Sequence, residues 1–505
     1  MKKKKLIRVF STVCLFFLLS TILAFSPPAP HDTIVKITLL QINDVYEITP
    51  VSGGKEGGLA RLATLRKQLA AQNPNTFMIL AGDLFSPSAL GTAKVDGARL
   101  DGKQMVEVLN AAGLNYCTFG NHEFDLKEQP FRQRLSESRF TWFSGNAFDR
   151  NQKPFPNVKE NVIFTVTNAS NQTARIGMIG VTMTKNKPDY VTYLDPLEAA
   201  KKQAQALRGQ VDILIAVTHL PLEDDVKLAQ TVAGIDLILG GHEHENVQVW
   251  RGANFTPIFK ADANARSAYI HQLTYDVETR RLQIDSQLQP ITDKIPEDPE
   301  TGQVVQRWVD LAFGAFKTMG FEPGQLVVNS PVTLDGREST VRNYPGKLTD
   351  LIAEGFLNAA PGAELAICNG GSIRIDDELP PGAISEYDII RILPFGGNVV
   401  SVEMRGRLLK QVLDQGRANK GTGGFLQTAR VSWSEEKGDW LINGKPLDQR
   451  RNYKAAINDF LITGNEQGMD FLNRKNPDLR VINENVMEVR RALMAQMQKE
   501  FGQKK

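Results

Sequence analysis

Over the first half of the chain, short and nearly continuous apolar runs alternate with helical patterns. KITLLQIND, TFMILAGD, NYCTFGNHEFD, DILIAVTH and DLILGGHEH carry the clearest runs. Unbroken Val, Ile and Leu predict strands of a sheet covered on both faces, because polar alternation disappears when neither face meets water. The residues that end these runs carry the chemistry: Asp44, Asp83, Asn121 with His122, His219, and His242 with His244. Open α/β sheets place ligands at the carboxyl ends of their strands. Five strand ends therefore deliver seven residues of metal-ligand type to one rim. Four of the chain's six histidines fall there, beside Gly82, Gly120, Gly240 and Gly241, which allow sharp turns. His31 and His271 lie outside the pattern and read as structural groups.

A connector rich in Pro, Asp and Glu spans Pro290–Glu300. Trp308, Leu311, Ala312 and Ala315 at helical spacing predict a helix over Gln303–Thr318, suited to bridge two domains and to act as a hinge. The expected organisation is a leader at 1–26, a first domain at 32–295, a linker at 296–325 and a second domain at 326–505. GTGG at Gly421–Gly424 lacks the Lys of a phosphate loop and reads as a turn.

Composition changes the picture at one end only. With 505 residues, 42% of them apolar, and 59 Lys+Arg against 57 Asp+Glu, the chain is an ordinary globular protein. Lys2–Lys5 and Arg8 precede an apolar run from Val9 to Phe25, the layout of a secretory signal peptide, or of a short anchor if it is retained. Export to the periplasm, the cell surface or the medium is expected, with membrane attachment only in the retained case. Removing Met1–Ser26 takes away five positive and no negative charges, leaving 54 against 57, a net of −3. No footprint for a nucleic-acid polymer remains. Cys117 and Cys368 sit in apolar runs and read as buried free thiols.

Oxygen and imidazole ligands without thiolate suit Mn, Zn, Co or Fe, and their number exceeds what one ion uses. Two divalent ions follow, a pair suited to neutralising phosphoryl oxygens during in-line displacement. The expected partner is a small phosphate ester.

The order Asp44, Gly82-Asp83, Gly120-Asn121-His122-Glu123, His219 and Gly241-His242-Glu243-His244 resembles the calcineurin-like metallophosphoesterase superfamily. NGGSIR (Asn369–Arg374) and LPFGGN (Leu393–Asn398) resemble the C-terminal domain of the 5'-nucleotidase family. The resemblance implies a four-layered αββα sandwich followed by a smaller α/β domain, and hydrolysis of nucleoside 5'-monophosphates, with 2',3'-cyclic nucleotides or nucleotide sugars as further substrates. It implies that Asp83 bridges two metals, that Asn121, His219 and His242 complete one site, and that Asp44 and His244 serve the other. His122, oriented by Asp125, would contact the phosphoryl or leaving-group oxygen. Arg342, Arg374 and Asn369 would hold phosphate and nucleoside, and Phe395 and Phe460 would stack the base.

Two departures stand out. Asp44-Val45-Tyr46 replaces the family's Asp-x-His, leaving three readings of Tyr46: a ligand, a bystander beside a metal held by fewer protein ligands, or a packing residue. Glu466 stands where the family has an Asp for the ribose hydroxyls, which bears on nucleoside recognition more than on hydrolysis. A different ester, or a binding protein with a decayed metal site, are the alternatives.

Overall fold

A computed structural model describes residues 32–502. The leader, His31 and the end of the basic tail lie outside the described residues. Among those described, no helix is long and apolar enough to cross a membrane.

The first part of the chain forms two sheets, as the αββα resemblance implied. Seven strands run in the order Val158–Lys159, Thr141–Phe143, Tyr116–Thr118, Thr76–Ala81, Ile34–Ile42, Ser267–Asp276 and Arg281–Pro290. Six more run Asn161–Thr167, Thr173–Thr182, Ile213–His219, Leu237–Gly240, Thr256–Lys260 and Val247–Arg251. Side-chain alternation on Ile34–Ile42 shows how they stack. Val35, Ile37 and Leu39 join Ile176, Ile213 and Leu237 between the sheets, while Leu40 and Ile42 pack outward with Leu62, Val106 and Trp308. Helices Pro196–Leu207 and Leu222–Thr231 cover the opposite face through Ala200, Leu207 and Leu228. Four layers result, helix on sheet on sheet on helix.

One polar stitch crosses the inter-sheet core. Gln41 donates to the carbonyls of Gly240 (3.0 Å) and Phe259 (2.8 Å), and its Oε1 lies 2.9 Å from Nε2 of buried His271. Nδ1 of His271 meets Ser286 Oγ at 2.8 Å. Burial pushes this imidazole down to about 3. The unfolded chain takes up a proton near pH 6.5 that the folded chain refuses, so stability falls as pH drops from 6.5 toward 3. In His271→Asn that contribution disappears. Unfolding free energies measured between pH 7 and 5 should fall more steeply for the wild type, by about 1.4 kcal/mol per pH unit once well below 6.5. Parallel pH profiles for the two proteins would refute the assignment.

The helix expected from Gln303 begins earlier, as Pro299–Thr318. Asp298 caps it by accepting from Thr301 N at 2.9 Å, and Pro299 sits where a missing N–H costs nothing. It is not a free bridge. Trp308, Ala312 and Phe316 are buried against the first domain, and Trp308 Nε1 donates to Glu107. After Thr318 the chain turns at Gly320, which takes φ 82°.

Beyond it, Leu426–Ala429, Leu365–Asn369, Asn452–Asn458, Asn398–Arg405 and Leu479–Glu488 form a five-stranded sheet. Helices Lys347–Ala359 and Val489–Phe501 cover one face and Gly406–Ala418 the other. Gly421–Gly424 is a turn. Cys117 and Cys368 are buried and free.

Candidate active site

Asp44, Asp83 and Asn121 follow strands of the seven-stranded sheet, while His219 and His242 come from the six-stranded one. The carboxyl edges of the two sheets thus meet at one place. Turning there requires unusual backbone: Asp44, Asp83 and His242 have φ of 51°, 61° and 83°, in the left-handed region that non-glycine residues rarely occupy. Gly120 has no alternative, since a Cβ would lie 2.0 Å from Asp83 Oδ1.

Buried carboxylates dominate the centre. Asp83 Oδ1 accepts from His122 N (2.8 Å), and Asp44 Oδ2 accepts from Asn43 Nδ2 and His242 N (2.8 Å each). Atoms of Asp44, Asp83 and His219 lie within 4.8 Å of one another, close enough to hold a metal ion. Nδ1 of His219 is bonded to Ala81 O at 2.8 Å. Its Nε2 is 3.1 Å from Asp83 Oδ2 but off the hydrogen-bond direction, so this buried nitrogen has no hydrogen-bond partner. Asn121 Oδ1 is likewise buried and unpartnered. Burial opposes charge on His219, yet Asp83 and Asp44 outweigh it and raise the imidazole to about 9. The position calls for positive charge beside Nε2. Burial and the neighbouring His219 instead lower His242 to about 3, keeping it in the neutral form that ligates metals. Orphaned nitrogen and oxygen atoms beside two carboxylates fit a divalent cation.

Tyr46 is also in the centre. Its hydroxyl donates toward Asp44 Oδ1 (3.2 Å) and Asp83 Oδ2 (3.1 Å) and lies 3.2 Å from His244 Nε2. The other ring nitrogen of His244 meets Asp376 Oδ2 of the second domain at 2.7 Å. His122 Nδ1 is 2.6 Å from Asp125 Oδ2, and Asn186 Nδ2 holds the other oxygen of Asp125 at 2.6 Å. Burial opposes charge on His122, but Asp125 and then Asp83 raise its pKa above the ordinary imidazole value.

A cleft of about 1210 Å³ runs between the domains, lined by Asp125 on one side and by Asn369, Arg374, Phe395, Phe460 and Glu466 on the other. Phe395 and Phe460 are 50% and 39% exposed, so neither is a core residue. Glu466 accepts from Asn369 Nδ2 at 2.7 Å, and Asn369 Oδ1 accepts from Asn458 and Ser372. Arg342 is not on the cleft wall. Instead it pairs with Glu338, which Arg374 also meets at 3.1 Å. Both arginines keep a buried, unpartnered Nε.

Residues 37–246 match the family described as calcineurin-like phosphoesterase, and residues 326–474 match the 5'-nucleotidase C-terminal domain. The chain thus joins a calcineurin-like phosphoesterase domain to a 5'-nucleotidase C-terminal domain. It is a metal-dependent phosphoester hydrolase. The trifunctional nucleotide phosphoesterase protein YfkN of Bacillus subtilis is 25% identical over 485 aligned positions, covering 86% of this chain but 31% of YfkN, so the chain spans about a third of that relative. Human 5'-nucleotidase is 25% identical over 496 positions, covering 85% of this chain and 83% of the human one. A 5'-nucleotidase precursor from Thermus thermophilus shares the fold with a TM-score of 0.73 at 23% identity, covering 92% of this chain and 97% of that one.

In this phosphoesterase several supporting residues were not singled out by the strand-end reading. Glu123 accepts from the backbone N–H groups of Asp83 (3.0 Å), Leu84 (2.6 Å), Phe85 (3.3 Å) and Gly120 (2.5 Å), clamping two strand-end loops together. Burial and the adjacent Asp83 raise it to about 7. An acidic residue inside the GNHE motif was the available cue. Lys260 had none, because its partners Asp225 and Glu243 are distant in sequence, and the contact of Glu338 with Arg374 is likewise long-range.

Proposed function

We propose that this phosphoesterase is an exported 5'-nucleotidase hydrolysing nucleoside 5'-monophosphates, with 2',3'-cyclic nucleotides and nucleotide sugars as further substrates. The observation that carries the reading is a pair of orphaned ligand atoms, His219 Nε2 and Asn121 Oδ1, beside Asp83, near a cleft whose far wall exposes two phenylalanines. The names of YfkN and the human relative support the substrate class, and the lysine-rich apolar N-terminus supports export.

In this reading Asp83, Asn121, His219 and His242 hold a divalent cation, with Asp44 and His244 bordering it. When bound, such an ion neutralises phosphoryl oxygens and lowers the pKa of water. The remaining steps fall to the chain. His122, with Nδ1 tied to Asp125, presents Nε2 to the ester oxygen and stabilises the charge that develops as the nucleoside leaves. Arg374 binds the substrate's phosphate from the cleft wall, and Arg342, off that wall, supports it through their shared partner Glu338. Phe395 and Phe460 stack the base while Asn369 and Glu466 face the sugar.

Phosphate release from AMP, compared with p-nitrophenyl phosphate at saturating Mn, tests the substrate. A clear preference for AMP supports the proposal; equal or lower activity on AMP moves the substrate to another ester. Truncating Phe395 or Phe460 to Ala should lower kcat/KM for AMP by about 10- to 100-fold, given about 1–3 kcal/mol per stacked base. Turnover of glycerol phosphate, which has no ring to stack, should stay within about twofold in the same variants. Equal losses on both esters would mean that the rings do not hold the base.

A further inference from the structure

The two halves of the ligand cluster differ in one respect. On the side of Asn121 and His219, buried ligand atoms have no hydrogen-bond partner. On the side of Asp44 and His244, every ligand atom has one: Asp44 Oδ2 holds Asn43 and His242 N, while Asp44 Oδ1, Asp83 Oδ2 and His244 Nε2 share the Tyr46 hydroxyl. We infer that the Tyr46 hydroxyl takes the place a second cation would occupy, so that this phosphoesterase holds one divalent ion, on the Asn121–His219 side. The inference rests on the metallohydrolase reading and narrows it.

Three contacts of 3.1 to 3.2 Å put the phenol oxygen amid the three atoms that would otherwise surround an ion. Metal–ligand bonds of roughly 2.0–2.2 Å to the same atoms leave no room for that oxygen as well, unless it becomes a ligand itself. The ring has little freedom to withdraw. Tyr46 is 4% exposed, its N–H donates to Asn264 Oδ1 at 3.1 Å, and Asn264 N in turn donates to Asp44 O at 2.8 Å. His122 and His244 flank the ring at centroid separations of 6.3 and 5.5 Å. A histidine at position 46 would be shorter, stop before the centre and leave space for an ion.

The test is metal stoichiometry. Full-length protein is loaded with Mn, freed of loose ions by gel filtration and analysed for metal per chain, with hydrolysis of p-nitrophenyl phosphate measured in parallel. The wild type should retain one Mn with the electron paramagnetic resonance spectrum of an isolated ion, and Tyr46→His should retain two with a spin-coupled spectrum. Two coupled ions in the wild type, or a folded Tyr46→His variant that stays at one, would overturn the inference while leaving the hydrolase reading intact. Loading with ferric iron supplies an independent arm that needs no variant. A visible tyrosinate-to-iron charge-transfer band would show Tyr46 to be a ligand and overturn the inference, and its absence supports it. No retained metal together with no hydrolysis would overturn both readings.

Discussion

Replacing Asp83 with Asn is expected to abolish hydrolysis of both AMP and p-nitrophenyl phosphate, with a loss on the order of 10³-fold or more. Asp83 is the group on which the site converges: Oδ1 receives His122 N, and Oδ2 lies 3.1 Å from both His219 Nε2 and the Tyr46 hydroxyl. Burial alone would raise this carboxyl, but His219 and then His122 hold it well below the usual carboxylate range. An amide keeps the acceptor for His122 N–H and loses the charge. The fold should survive. Asn tolerates the left-handed backbone at φ 61°, and the change removes repulsion between Asp83 and the buried Asp44. In the presence of a chelator the melting temperature should fall modestly, because the charge that His219 and His122 stabilise is lost, while bound metal falls. A variant that keeps its rate within about tenfold would remove Asp83 from the chemistry. A variant that retains nucleotide binding without hydrolysis would still separate an enzyme from a binding protein, because the wild type must then turn over what the variant only holds.

The strand-end pattern made this part of the site legible because each ligand follows its own apolar run, and a local rule therefore places it. Asp44, Asp83, Asn121, His219 and His242 needed no knowledge of which strands pair. What the pattern left undetermined was that two sheets, not one, supply them, since a fully buried strand looks alike in either sheet. Tyr46 shows a different limit. Its residue type left three roles open, and only the distances to Asp44, Asp83 and His244 narrow them. Exposure of Phe395 and Phe460 could not come from their apolarity, which predicts burial. The contact of Arg374 with Glu338 depends on where the short helix Glu338–Val341 packs, a tertiary fact, whereas the Glu338–Arg342 pair is local to that helix. The early start of the helix at Pro299 was within reach, because Asp298-Pro299 is a cap followed by a first-turn proline. The acidic texture of the connector concealed it.

Lys260 is the residue whose loss should most reduce stability. It ends the strand Thr256–Lys260 with its ammonium fully buried, where only paired charges persist. Nζ donates to the carbonyls of Leu220 (2.6 Å) and Gly241 (2.9 Å), pairs with Asp225 Oδ2 at 2.8 Å and also with Glu243. Leu220 follows His219, and Gly241 precedes His242. One cation thus fastens two ligand-bearing loops to each other. Asp225 is equally buried and accepts from Thr218 Oγ1 at 2.6 Å, so its charge depends on the lysine. Burial raises the Asp225 carboxyl despite Lys260 beside it, which shows how little solvent reaches the pair. Lys260→Met fills a similar volume but strands Asp225 and deprives two carbonyls of their donor. A cost of about 3–5 kcal/mol is expected, a fall in melting temperature on the order of 10 °C for a domain of this size. Adding Asp225→Asn to the methionine variant should recover part of the loss, because the stranded charge is then gone while the two carbonyls remain unpaired. Metal affinity separates the two effects. If the lysine positions the loops, both variants bind Mn more weakly than the wild type even where they are fully folded. If it only offsets Asp225, the double variant regains wild-type affinity along with its stability.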